Sequence, residues 1–104
     1  MSVTHLAAGL DPLGAAGPND LALVSRRRLD LLLDATKSAF VSPGEALAAA
    51  EELRRTFADD PQAKRLRIAL HTGEDSEPTA RRARHLCEIA TGGQTLLSAT
   101  AAAE

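Results

Sequence analysis

Apolar positions recur along this chain in two rhythms, and the switches between them mark its elements. The stretch "VTHLAAGL" at 3–10 opens β-branched and stays mostly apolar, which suits a short buried strand. Two Pro and two Gly within "DPLGAAGPND" at 11–20 then interrupt any period and predict a loop. Asn19 or Asp20 offers a side-chain oxygen to cap a helix starting near Leu21, where Leu21, Val24 and Arg28 share one face. The Leu-rich run "RLDLLLDATKSAFV" at 28–41 fits a helix and a buried strand equally well. Of the two, we expect a pair of short strands around a turn at 34–37.

The strongest helical signal follows. Ser42 precedes Pro43 at the first helical position and Glu45 three residues on, the pattern of a capping box. Ala46, Leu47, Ala50, Leu53 and Phe57 then recur on one face, and "ADDPQAK" at 58–64 ends the element. Polar and apolar residues alternate from Arg67 to His71, as in a strand with one covered face. Ser76 or Glu77 ahead of Pro78 opens another helix, with Ala80, Ala83, Leu86, Cys87 and Ala90 as its buried stripe. Thr91-Gly92-Gly93 should stop it, because Gly supplies the left-handed conformation that closes helix C-termini. "QTLLS" at 94–98 predicts a last short strand, with Ser98 placed to cap an Ala-rich turn. Strands alternating with helices around one central hairpin predict a single α+β domain, an α/β sandwich of ferredoxin-like βαββαβ type with helices on one face of the sheet. Residues 1–20 form its N-terminal strand and loop, and 21–104 its main body.

Composition narrows the function classes. Only 2% of the 104 residues are aromatic, so Leu, Ala, Val and Ile must fill the core and no stacking platform for single-stranded nucleic acid exists. The net charge of -2 argues the same way, because binding by phosphate neutralisation needs a basic excess. Cys87 stands alone and cannot form an internal disulfide, which fits a cytoplasmic setting. No apolar run approaches the ~18 residues of a membrane span.

Candidate chemistry concentrates in the second half. In "RIALHTGE" at 67–74 a strand runs into a Thr-Gly turn and then Glu74, the kind of strand end where enzymes place ligands. Arg81, Arg82 and Arg84 stand near a helix start, where cationic donors and the helix dipole can act together on a phosphate, or can simply be solvated. His5, His71 and His85 have no recognised metal-ligand spacing and are expected as surface or turn histidines. Cys87 falls on the apolar stripe of its helix and is expected to be a buried, inert thiol.

Read together, "LRIALHTGE" and "RRARHLCEIATGGQTLLSATAA" resemble the C-terminal half of a class III nucleotide cyclase homology domain, the adenylate and guanylate cyclase family. "SAFVSPGEALAAAEELRR" resembles the strand and helix ahead of it, and "VTHLAAGL" the first strand, so the likeness spans most of the chain in shortened form. The resemblance implies a dimer with sites across the interface: two Asp for two metal ions, a base-selecting Lys, and a transition-state Asn and Arg. Carried over position by position, the first Asp falls on Gly9, the second on Asp34, the Lys on Asp30, the Asn on Arg81 and the Arg on His85. Only Asp34 is retained, flanked by Leu33 and Ala35 where the family has Gly. One carboxylate cannot supply the oxygen ligands that two divalent ions need. The resemblance therefore implies a catalytically silent domain without cofactor or metal, with Asp34 as a vestige. Its expected role is a regulatory or interaction module in bacterial signalling or transcription control, paired as a homodimer, with a regulatory protein as a further partner. The alternative is a sensor that accepts a nucleotide or phosphate ligand through Arg81, Arg82, His85 and Glu74.

Overall fold

Nine consecutive residue pairs join two strands at the centre of the domain. β1 (Ser2–Leu10) runs antiparallel to β3 (Leu66–Glu74), in register from Ser2 opposite Glu74 to Leu10 opposite Leu66. The edge strands are short: β2 (Ala39–Phe40) lies antiparallel to β1, and β4 (Thr95–Leu97) parallel to β3, giving a four-stranded mixed sheet of order β2-β1-β3-β4. Helices α1 (Asn19–Asp34), α2 (Pro43–Phe57) and α3 (Glu77–Ile89) complete the α+β fold. The computed structural model describes residues 2–10, 19–35, 39–60 and 63–98, with backbone alone over 19–23. The expected loop at 11–18, the turn at 36–38 and the Ala-rich turn after Ser98 lie outside these residues.

Because side chains alternate along a strand, the central register sorts residues by size. Leu6, Leu10, Leu66, Ile68 and Leu70 point to one face and pack with Leu29 of α1 and with Ala46, Ala50, Leu53 and Phe57 of α2. Ala7 and Ala69 point to the other face, where they meet Ala83 and Cys87 of α3. The helices therefore cover both faces of the sheet, which corrects the one-face arrangement. β3 is accordingly buried on two sides rather than one.

The central hairpin is absent among the described residues, and the element order is βαβαβαβ rather than βαββαβ. The first half of the Leu-rich run belongs to α1, which begins at Asn19 and continues to Asp34, while the second of the two expected strands is present as Ala39–Phe40 of β2. No β-branched residue lies between Ser25 and Asp34, and Leu and Arg favour helix. Ser25, Leu29, Leu32 and Leu33 turn inward at helical spacing while Leu31 stays 70% exposed. Asp60, buried below α2, holds this helix in place: it accepts from Ser25 Oγ at 2.6 Å and from Arg28 at 3.3 Å. Arg28 also donates to Asp59 and to the Thr56 carbonyl, and its guanidinium lies over the Phe57 ring.

α2 begins as expected, with the Ser42 hydroxyl accepting from the Glu45 amide at 3.3 Å and Pro in the first turn. Of its apolar face, Ala46, Ala50, Leu53 and Phe57 are buried, whereas Leu47 is 37% exposed. At the far end of α3, Ala90 is extended and the left-handed residue is Gly93, three positions later. Arg67 of β3 reaches the last turn of α3 and donates to the carbonyls of Glu88 and Ala90. A Cβ on Gly92 would lie 2.8 Å from the Lys64 carbonyl oxygen and 3.1 Å from Arg65 Cα. The Gly pair thus serves close backbone approach and a turn into β4, more than helix capping.

Gly92→Ala should destabilise the domain by ~1–3 kcal/mol, since rigid backbone must move to admit a methyl. Gly44→Ala, where the added Cβ finds only Ser42 Oγ at 3.9 Å, serves as the tolerant control. Urea unfolding of the two variants checks this, and equal midpoints would contradict the close approach.

Candidate functional site

The end of β3 carries the polar part of the sheet. Thr4 and Thr72 face each other across the central pair on the leucine side, with their hydroxyls 2.8 Å apart, so two buried polar groups satisfy one another. On the α3 side His5 stands opposite His71 in the same ladder, and His71 Nδ1 is 2.9 Å from Ser98 Oγ, just past β4. His5, His71 and Ser98 therefore form a row across three strands beneath the first half of α3. His5 is 7% exposed, and its Nε2 has no hydrogen-bond partner. The expectation of surface or turn histidines holds only for His85, on the outer side of α3.

Burial lowers the pKa of His71, and the nearby Arg82 and His5 add to the effect. The neutral imidazole is thus the favoured form of His71. Cys87 is buried, 5% exposed, with Sγ 3.5 Å from the Arg67 carbonyl oxygen, and burial raises its pKa, as an inert thiol requires.

Gly73, the glycine of "HTGE", sits under the first turn of α3. A Cβ there would fall 2.8 Å from Thr79 Cγ2, so the missing side chain leaves room for α3 against the sheet; the expected Thr-Gly turn is instead strand, with Thr72 and Gly73 paired to Thr4 and Val3. Ser76, extended before the helix, has its hydroxyl 3.1 Å from Thr79 Oγ1. The strand end is a packing feature first.

Arg81, Arg82 and His85 come together on the outer flank of α3, where with Pro78, Leu86 and Ile89 they line an open pocket of about 580 Å³. Arg81 and Arg82 are exposed and have no ion pair among the described residues. Arg84 turns away and is paired with Glu77, which lowers the Glu77 pKa chiefly through that hydrogen bond. Glu74 ends β3 opposite Ser2, exposed and outside the pocket lining. Asp34 lies exposed at the end of α1, on the other side of the sheet. The structure thus groups three of the ligand candidates and separates Glu74 and Asp34 from them. Among the described residues no cluster of three or more His, Cys, Asp or Glu could hold a metal ion, and no helix is long and apolar enough to cross a membrane.

The histidine row escaped the sequence reading. Alternation alone could have put His5 on one face with Ala7, and His71 with Ala69, but nothing local fixes which residues of β1 and β3 stand opposite each other. Comparison with protein-family models, with curated proteins and with solved structures finds no match.

The lowered His71 pKa has a definite sign. The unfolded chain binds the proton more readily, so stability is full above the ordinary value of 6.5 and is lost as pH falls through the folded-state value. Urea midpoints measured from about pH 8 to about pH 5 should fall more steeply for the natural chain than for His71→Gln. Parallel profiles would remove His71 from the pH response.

Proposed function

We propose that this chain is a non-catalytic module of shortened, nucleotide-cyclase-like architecture that works by pairing with a second copy and engaging a regulatory protein in cytoplasmic bacterial signalling or transcription control. The observation that carries the reading is an unpartnered apolar stripe on α1. Val24 and Leu31, two turns apart on its outer side, are 67% and 70% exposed. A domain with so few aromatic residues has little apolar bulk to spare for solvent, and association would cover it.

The cyclase-like part rests on the order of elements: a strand ending in His-Thr-Gly, a helix bearing Arg81 to Leu86, the Gly92-Gly93 pair and a short strand. A central antiparallel pair extended by one strand on each side is compatible with a ferredoxin-like ancestry, with α3 added on the opposite face. Placement as well as residue type supports catalytic silence. Gly9, at the position of the first metal Asp, faces the α3 side beside Arg67, whereas Asp34 projects from α1 beyond the other face. A carboxylate restored at residue 9 would not share an ion with Asp34, and two-metal chemistry requires shared ligands a few ångströms apart.

Light scattering should give a mass above that of one chain, and Leu31→Asp should return it to a monomer. A natural chain that stays monomeric at ~1 mM, the weak end of useful affinity, would sink the pairing function.

The pocket on α3 favours a second function, an anion sensor for a nucleotide or another phosphorylated molecule. Two unpaired guanidinium groups and an imidazole can hold phosphate oxygens, while Leu86 and Ile89 supply an apolar wall. Calorimetric titration with ATP, GTP and cyclic nucleotides tests it. Binding should weaken about tenfold or more on Arg82→Ala, as loss of one charge-assisted hydrogen bond predicts. Absence of heat at millimolar ligand counts against the sensor.

A further inference from the structure

Two exposed helix faces of this domain are complementary to each other. On α1 the outer side carries Arg27 and Asp34, seven residues apart, with Leu31 between them and Val24 one turn before. On α3 the outer side carries Arg81 and Glu88, also seven residues apart, with His85 between them, Leu86 alongside, and Ile89 65% exposed. Seven residues are two helical turns, ~10 Å, so each face presents a basic and an acidic group at the same separation. None of these four charged side chains has an ion pair among the described residues.

We infer that α1 of one copy docks antiparallel on α3 of the next, with Asp34 at Arg81 and Arg82, Arg27 at Glu88, and Leu31 and Val24 against Leu86 and Ile89. The opposite direction would set Arg27 against Arg81 and Asp34 against Glu88, two like-charge contacts, so charge selects the antiparallel alignment. Antiparallel packing also brings the negative C-terminal end of α1 to the positive N-terminal half of α3. Each exposed ion pair contributes little, and the covered apolar side chains supply most of the association.

The topology decides the kind of assembly. α1 and α3 lie on opposite faces of the sheet, so a copy whose α1 is engaged still offers its α3 to another. Such a contact is heterologous: it does not close on two copies, and assembly continues into chains or a ring. The inference rests on the proposed self-association, extends it from a pair to an open or ring assembly, and adds the two surfaces and the direction.

Charge reversal provides the test. In one variant Asp30→Arg and Asp34→Arg set basic residues of α1 against Arg81 and Arg82; in another Arg81→Glu and Arg82→Glu set acidic residues of α3 against Asp34. Each alone should remain monomeric by light scattering, with an unchanged circular dichroism spectrum, while an equimolar mixture should regain association because each copy then finds an opposite face. Ile89→Asp, at a solvent-facing site, should abolish association independently. For the natural chain, mass should rise past two copies with concentration and fall with added salt. If it associates but stops at two copies, or the variants associate as well as it does, or the mixture stays monomeric, this contact is wrong and pairing by another surface stands. A natural chain monomeric throughout overturns both.

Discussion

The antiparallel ladder between β1 and β3 is the constraint on which the rest of the domain depends. It fixes nine residue pairs at once, and because the side-chain period is two, it also fixes which face every one of those residues sees. A slip of one position would turn one strand over relative to the other, sending Leu6 and Leu10 to the α3 side, for example, and bringing His5 and Ala7 under α1 and α2 while β3 keeps its faces. Neither layer could then close, since α3 has only Ala83 and Cys87 to bury and α2 needs large partners for Leu53 and Phe57.

Once the faces are sorted, each layer is held in a different way. The leucine side is a conventional core, reinforced at its margin by Asp60 between Ser25 and Arg28. The alanine side is thin, and α3 approaches through small residues. Gly73 leaves space for Thr79 at its start, Gly92 lets the turn after it pass close to Lys64 and Arg65, and Arg67 satisfies its last carbonyls. The polar row of buried His5 and half-buried His71 and Ser98 belongs to this thinner layer, where small neighbours leave room for imidazoles.

The functional proposal grows out of the same asymmetry. A thin layer that places a basic helix outermost, and a thick layer whose outer helix keeps apolar and acidic residues in solvent, give the molecule two unlike sides. The positions that the cyclase resemblance would assign to catalysis, Gly9, Arg81 and His85 against Asp34, are divided between those sides by the sheet. The proposal therefore assigns surface recognition to these sides, through an anionic ligand on α3 or through contact with another protein.

Local sequence determined several features with no help from the rest of the fold. Ser42-Pro43 started α2, Pro78 started α3, the 3.6-residue stripes of Ala50, Leu53 and Phe57 and of Ala83 and Cys87 chose their buried faces, and Arg67 to His71 declared the middle of a strand that runs on through Glu74. These signals act within one or two turns, so they survive without tertiary context. The Leu-rich run did not carry its own answer: a helix and a buried strand present the same apolar surface, and Ser25 and Arg28 meeting Asp60 about thirty residues away settled it. Nor could sequence say that helices cover both faces, that His5 meets His71, or that Arg81 and Arg82 share a pocket while Asp34 lies across the sheet. Those facts are pairings between distant segments, and strand register and layer order exist only when the chain is folded.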